Sequence, residues 1–290
     1  RSTMNMARFD DNNIYPPDGK EFSSSINFDI AYQPLSRYPE KKYVIRTDTD
    51  QAIGVVGKNF SAVSHPKFFG TIRETWRDLL PELAEEVCIR NKVSRNGAWA
   101  LEEVIFPKAR QAIETSRHST EIALRFICWH GLDGSSSNNC LAGAIDFFCT
   151  NGMVLGNYNH VKHRNTKNFS LNQFVSQIRN LESNFEAHVN WCRRLASQHT
   201  SEYDIKQFLE EIIPAERTRD QMFEAIMAEA QTRGRNMFAL YSAFTEYASH
   251  EDRFELRRSA NDNVAERLHR RDLNVAKWVA HPAFAQMMAA

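Results

Sequence analysis

An α+β fold, with an antiparallel strand-rich N-terminal half packed with a helical C-terminal half, is predicted by three features of this 290-residue chain. Between Tyr43 and Phe60, β-branched runs flank the turn-forming segment Asp48-Thr49-Asp50-Gln51. From Thr120 to His130, Ile122, Leu124, Phe126 and Cys128 alternate with Arg125, Ile127 and Trp129, which is the period of a strand. From Ser170 onward the apolar residues recur at three and four, which is the period of a helix.

The elements follow in chain order. Residues 1–40 read as an extended N-terminal arm, with a turn at Pro16-Pro17-Asp18-Gly19 and a short strand near Ile26 to Ile30. Tyr43–Arg46 and Ile53–Val56 form a hairpin, and a further strand runs from Asn59 to Val63. Phe68, Phe69, Ile72, Trp76, Leu79, Leu80, Leu83 and Val87 have helical spacing. Ala98 to Phe106 is a strand ended by Pro107. Gly131 to Asn139 is a polar loop, a strand follows from Leu141 to Cys149, and Thr150-Asn151-Gly152 turns the chain. Residues 41–169 thus form an α+β core with an antiparallel sheet.

Residues 170–290 form a helical region packed on that core. Its first helix carries Leu171, Phe174, Val175, Ile178, Leu181, Phe185, Val189, Cys192 and Leu195 on one stripe. Ser201 with Asp204 resembles a capping box for a helix that ends near Pro214. Thr218 caps the next helix and Gly234 ends it. Asn236–His250 and Asn263–Ala280 are two more. Phe238, Tyr241 and Phe244 share one helical face, for which core packing is the default reading and an oligomer contact the alternative.

Composition narrows the function classes. Lys plus Arg and Asp plus Glu are each 36, so the whole surface is not built to track nucleic acid, although a local basic patch is compatible with balance. The five cysteines are odd in number, which argues against a disulfide framework. No apolar run is long enough to span a membrane, and the first residues have no apolar signal region. The expectation is a cytoplasmic protein with reduced thiols and no membrane partner.

Cations interleaved with aromatics are the best chemical signal. Residues 156–180 hold Lys162, Arg164, Lys167 and Arg179 with no acid. Residues 92–130 hold six Lys or Arg against four Glu, together with Trp99 and Trp129. Single strands bind through cations that meet phosphates and rings that stack on bases. Lys58, Arg95, Trp99, Arg125 and Trp129 are therefore expected to line a groove, with Lys162, Arg164 and Lys167 clamping the backbone. The bland alternative is a solvated loop and buried tryptophans.

Other chemistry is weaker. Cys128, His130, Cys140, Cys149, His160 and His163 lie close in sequence, but no Cys-x-x-Cys pair is present, so no metal ligand is assigned. Ser135-Ser136-Ser137 near His130 and Asp133 lacks a nucleophile elbow and reads as a polar turn. Gly54-Val-Val-Gly-Lys58 lacks the spacing of a phosphate-binding loop. No catalytic residue and no cofactor are expected.

Four segments, Arg46-Thr-Asp-Thr49, Gly54-Val-Val-Gly57 leading to Phe60, Cys149-Thr-Asn-Gly-Met153, and Phe238 to Tyr247 followed by His250, carry a resemblance. Their order resembles the phage/plasmid-like protein family, a domain of unknown function found in phages, prophages and plasmids. That resemblance implies a mobile-element context and brings no catalytic residues. The helix before Asn96-Gly97-Ala98-Trp99, with strands and a helix after it, is similar in topology to phage single-strand annealing proteins, from which it departs by the extra Ala98. The expected function is single-stranded DNA binding for a phage or plasmid, in strand annealing or recombination, with self-association as a homo-oligomer. The alternative is a protein-interaction module that modulates a host or phage enzyme.

Overall fold

Alternating apolar side chains build two antiparallel sheets in the computed structural model, which describes residues 21–135, 138–146, 152–154, 172–249 and 264–289. The first sheet has the order β1 (Ile30–Leu35), β2 (Tyr38–Arg46), β3 (Gln51–Gly57). The second is a meander of β4 (Cys88–Ser94), β5 (Trp99–Glu114), β6 (Ser119–Gly131), β7 (Asn139–Asp146) and β8 (Gly152–Val154). Helix α1 (His65–Leu79) lies between the sheets in sequence. The remaining described helices are α2 (Asn172–Arg179), α3 (Leu181–Ser197), α4 (Glu202–Ile212), α5 (Glu216–Arg233), α6 (Met237–Ser249), α7 (Val264–Val279) and α8 (Pro282–Ala289). The protein is therefore α+β, with strands in the first half and helices mainly in the second.

The hairpin expected around Asp48–Gln51 is β2–β3, closed where Arg46 faces Gln51. Strand β1 begins at Ile30, so residues 30–40 belong to a sheet and not to an extended arm. Asn59–Val63 forms no strand. The Tyr32 hydroxyl holds it instead, accepting from the Ala62 N–H at 2.8 Å. Helix α1 stops well short of Val87 because Pro81 has no N–H and forces Leu80 out of helical geometry (φ −130°, ψ 56°). Pro107 does not end its strand. Phe106 pairs with Leu124 and the next pair is Arg110 with Ala123, so Pro107 sits in a bulge where a missing N–H costs no ladder bond. The Ser201 hydroxyl accepts from Asp204 N–H at 3.1 Å and opens α4. Thr218 lies inside α5, which starts at Glu216, and Gly234 ends that helix at φ +83°.

The five-stranded sheet is covered on both faces. One face carries Ile89, Val104, Phe106, Leu124, Phe126, Cys128 and Ala144, packed with Phe68, Phe69, Ile72 and Trp76 of α1 and with α2 and α3. Helix α6 is buried nearly all round, so Phe238, Tyr241 and Phe244 are core residues. Helix α7 lies against β4 and β5.

Charged pairs fasten these layers. Arg73 of α1 reaches the sheet and donates to both oxygens of Glu102, at 2.9 and 2.6 Å, while Asn91 donates to Glu102 at 3.0 Å. Both members of the pair are sealed from solvent. Arg233, at the end of α5, meets Asp146 of β7 at 2.8 Å, and Thr120 completes that carboxylate at 2.7 Å. Removing one partner of such a pair leaves an uncompensated buried charge. Arg73→Met is accordingly expected to cost about 3–5 kcal/mol in urea unfolding. Arg73→Met combined with Glu102→Leu should regain most of that loss. An unchanged midpoint in the single variant would show that the pair does not hold α1.

His65, His130 and His188 are buried, and burial holds each below the usual histidine range. In α3, burial and then the Arg125 guanidinium hold His188 down to about 3. The unfolded chain takes up that proton below about pH 6.5, whereas the folded chain does not until the pH nears the folded value. Stability is thus present above pH 6.5 and lost as the pH falls. Between pH 7 and 5 the protein should lose about 2 kcal/mol more than His188→Phe, since other titrating groups are common to both. Equal losses in the two proteins would rule out His188 as a source of the acid sensitivity.

Candidate nucleic-acid interface

The strand face that carries Arg125 and Trp129 lies beneath α7. Trp129 is 1% exposed, and its ring meets His269 of α7 edge-on at 3.9 Å. Arg125 is 6% exposed, pairs with Glu103, donates from Nε to the Met153 carbonyl at 3.0 Å and stands 4.0 Å from Asp272. A Cβ at Gly152 would overlap the Arg125 guanidinium, and one at Gly143 would come within 2.8 Å of its stem. These two glycines make the bed in which Arg125 lies. Burial pushes the Asp272 carboxyl up to about 7, against the pull of Arg125. Glu103 also accepts from Arg90, and these arginines hold it down to about 2 despite burial, which acts to raise it. Arg125 and Trp129 therefore dock a helix, and the open groove expected along their strand is filled.

Arg95 and Trp99 are brought together at one end of this sheet. Arg95 donates to Asp133 at 2.9 Å and to the Ser135 hydroxyl at 2.8 Å, and the Trp99 indole N–H donates to the same hydroxyl at 3.1 Å. The Trp99 ring itself is buried with Leu101, Ile127, Trp129 and Leu141, so its faces are not open for stacking. Arg95, Asn96 and Gly97 all have positive φ (53°, 55° and 87°), a strained run for two non-glycine residues. Two donors clamp it. Arg46 reaches the Asn96 carbonyl at 2.7 Å and His65 Nε2 reaches the Gly97 carbonyl at 2.7 Å. A carbonyl only accepts, so His65 carries its proton on Nε2 and presents a bare Nδ1 to His130 Nδ1–H at 2.8 Å. His130 is thereby engaged with His65, while Ser135 bonds Asp133, so the loop serine and this histidine form no catalytic pair. Among the described residues, no three His, Cys, Asp or Glu side chains converge on a point where a metal could sit. Lys162, Arg164 and Lys167 lie outside the described residues, as do His160, His163 and Cys149.

Lys58 is exposed, and its backbone N–H donates to Glu40 at 2.8 Å where β3 leaves β2. Next to it is an open surface, the outer face of the three-stranded sheet. Tyr43 stands there in a row between Gln33 and Val55, its cross-strand partners. Lys41 shares that face one pleat away, opposite Gly57. Ala31, Ala52 and Gly57 are small and exposed, so the Tyr43 ring rises from a flat surround. Tyr38 is 54% exposed, Val55 49% and Tyr43 37%, and Lys41 Nζ lies 5.8 Å from the Tyr38 ring. The inner face is different, with Val44 and Val56 buried and Lys42 over the Tyr32 ring at 3.9 Å. Residues 36–58 hold five cations (Arg37, Lys41, Lys42, Arg46, Lys58) against three acids (Glu40, Asp48, Asp50). Tyr38, Lys41 and Tyr43 were not singled out by sequence as a site. The signal was there in the run Tyr38-Pro-Glu-Lys-Lys-Tyr43, where aromatics alternate with cations.

No curated protein and no solved structure matches the chain. The family model described as Domain of unknown function (DUF932) matches residues 52–272, which takes in β3, the whole five-stranded sheet and the helices up to α7. The chain belongs to the DUF932 family.

Proposed function

We propose that this protein binds single-stranded nucleic acid on the outer face of β1–β3, in the DNA metabolism of a phage or plasmid, with strand annealing or recombination as its setting. The observation that supports this reading most is the exposed Tyr43 ring with Lys41 beside it on one sheet face, and with the exposed Tyr38 ring 5.8 Å from the Lys41 ammonium. Rings on an open sheet accept bases by stacking, and adjacent ammonium groups meet the phosphates. A duplex hides its base faces, so the same surface favours unpaired strands. Stacking is tolerant of sequence, and base pairing between strands would supply any specificity. No cofactor enters this mechanism.

Fluorescence anisotropy with a labelled oligothymidine, beside duplex DNA and across a salt series, tests the reading. Tyr43→Ala should weaken single-strand binding about five- to 150-fold, the range for one stacked base, with the salt slope unchanged. Lys41→Ala with Lys58→Ala should instead flatten the slope by roughly 0.7 for each lost phosphate contact. Absence of binding at low salt would overturn the proposal and turn the face over to a protein partner, as an interaction module.

A further inference from the structure

A second cationic surface lies at the opposite end of β5, where the β5–β6 turn meets the end of α3 and the turn before α6. A cleft of about 550 Å³ opens there. Arg117 comes to it from the hairpin, Arg193 from α3, and Arg235 and Asn236 from the turn before α6, with His199 beside them. Three arginines face one carboxylate in the lining, that of Glu114. Arg117 and Arg193 join no ion pair among the described residues. Arg193 Nη2 donates to neutral acceptors, the Ala112 carbonyl at 3.2 Å and the Gln111 side-chain oxygen at 3.4 Å, which hold one arm of its fork without cancelling its charge. Arg235 meets Glu202 at 3.3 Å, but both side chains are about half exposed and such a pair is weak. This differs from the interior, where Arg73, Arg125 and Arg233 are each met by a buried carboxylate.

We propose that this cleft binds phosphate groups. Forked guanidinium donors from three separate segments surround a space of the size that admits a nucleotide, and Arg geometry matches phosphate oxygens in pairs. Ser116 adds a neutral hydroxyl to the lining, whereas the Asn236 amide is taken up by the Arg233 carbonyl and the Ala239 N–H. Gly234 allows the turn before α6, because its φ of +83° is one that side-chain-bearing residues rarely adopt. The site is separate from the β1–β3 face. That sheet packs by β3 on the Arg95–Gly97 turn at the start of β5, and the β5–β6 pairing, from Trp99↔Gly131 to Glu114↔Ser119, carries the chain about 40 Å to the cleft. The phosphate has two possible sources, a nucleic-acid backbone or a free nucleotide.

Thermal unfolding with sodium pyrophosphate at fixed ionic strength tests this, because a ligand that binds the folded state raises Tm. The full chain should gain several degrees at millimolar pyrophosphate. Arg117→Gln with Arg193→Gln should require at least tenfold more pyrophosphate for the same gain, while its unliganded Tm stays near that of the parent. If the double variant is less stable on its own, Arg117→Gln alone, at the exposed hairpin tip, should still show a reduced response. Displacement by a 20-residue oligothymidine assigns the site to a backbone, and displacement by ATP alone assigns it to a free nucleotide. An equal gain in parent and variants, or no gain with pyrophosphate, ATP or oligothymidine, overturns the proposal. Tyr43→Ala should leave the pyrophosphate response intact, so failure of the sheet-face reading is distinguishable from failure of this one.

Discussion

Glu102 and Glu103 are neighbours on β5, and because a strand alternates they face opposite sides of the five-stranded sheet. Both are buried, so each must be met by a cation or lose its charge. Arg73 meets Glu102 from α1, which fixes that helix over one face. Arg125 and Arg90 meet Glu103 on the other face, and the same Arg125 then draws in Asp272 of α7. Hydrophobic burial alone would allow these helices to slide along the sheet, since it has no direction. The bidentate Arg73–Glu102 pair on one face, and on the other the Glu103–Arg125 pair that reaches on to Asp272, sit at adjacent residues of an interior strand and restrict that freedom. The layer order of the larger unit follows from this pair of glutamates more than from any single apolar contact.

The same arrangement decides where a ligand can bind. A sheet with helices on both faces has no broad surface left, and its arginines and tryptophans become internal fasteners. The small β1–β3 sheet is the contrast. Its inner face buries Val44 and Val56, and its outer face keeps the Tyr43 ring and Lys41 in solvent. The Arg95–Gly97 turn joins the two units. Its strained backbone is held from β2 by Arg46 and from α1 by His65, so the small sheet is tied to a rigid neighbour. A rigid platform loses little conformational freedom when a strand stacks on it.

Strand periodicity made the faces of β6 legible, with Ile122, Leu124, Phe126 and Cys128 on one side and Arg125, Ile127 and Trp129 on the other. Periodicity does not say what covers a face. Arg125 reads as a solvent-facing cation until Gly143 and Gly152 are placed against it, and that requires the β6–β7–β8 register. Adjacent glutamates inside the apolar run Trp99–Phe106 were the residue-level hint that cations are buried nearby. Prolines were legible only in context. Pro81 stops a helix because the i−4 bond is obligatory there, whereas Pro107 is absorbed by a bulge. The arginine cleft was not legible, since Arg117, Arg193 and Arg235 are distant in sequence and meet only because the long β5–β6 hairpin returns to the end of α3.

Charge balance explains how a neutral protein can still present cations locally. Among the described residues, four buried arginines (Arg73, Arg125, Arg233, Arg271) stand against five buried acids (Glu102, Glu103, Asp146, Glu246, Asp272), one of which, Asp272, burial drives toward neutrality. The buried charges among the described residues are thus close to balanced, and the whole chain has formal net charge zero. Long-range steering of a polyanion is then weak, because the fields of opposite charges cancel beyond about 10 Å in salt. On the proposed reading, attraction is left to short-range geometry, to rings that need an unpaired base and to guanidinium forks that need a phosphate at contact. Such a protein would ignore nucleic acid at a distance and discriminate by what its two proposed surfaces touch.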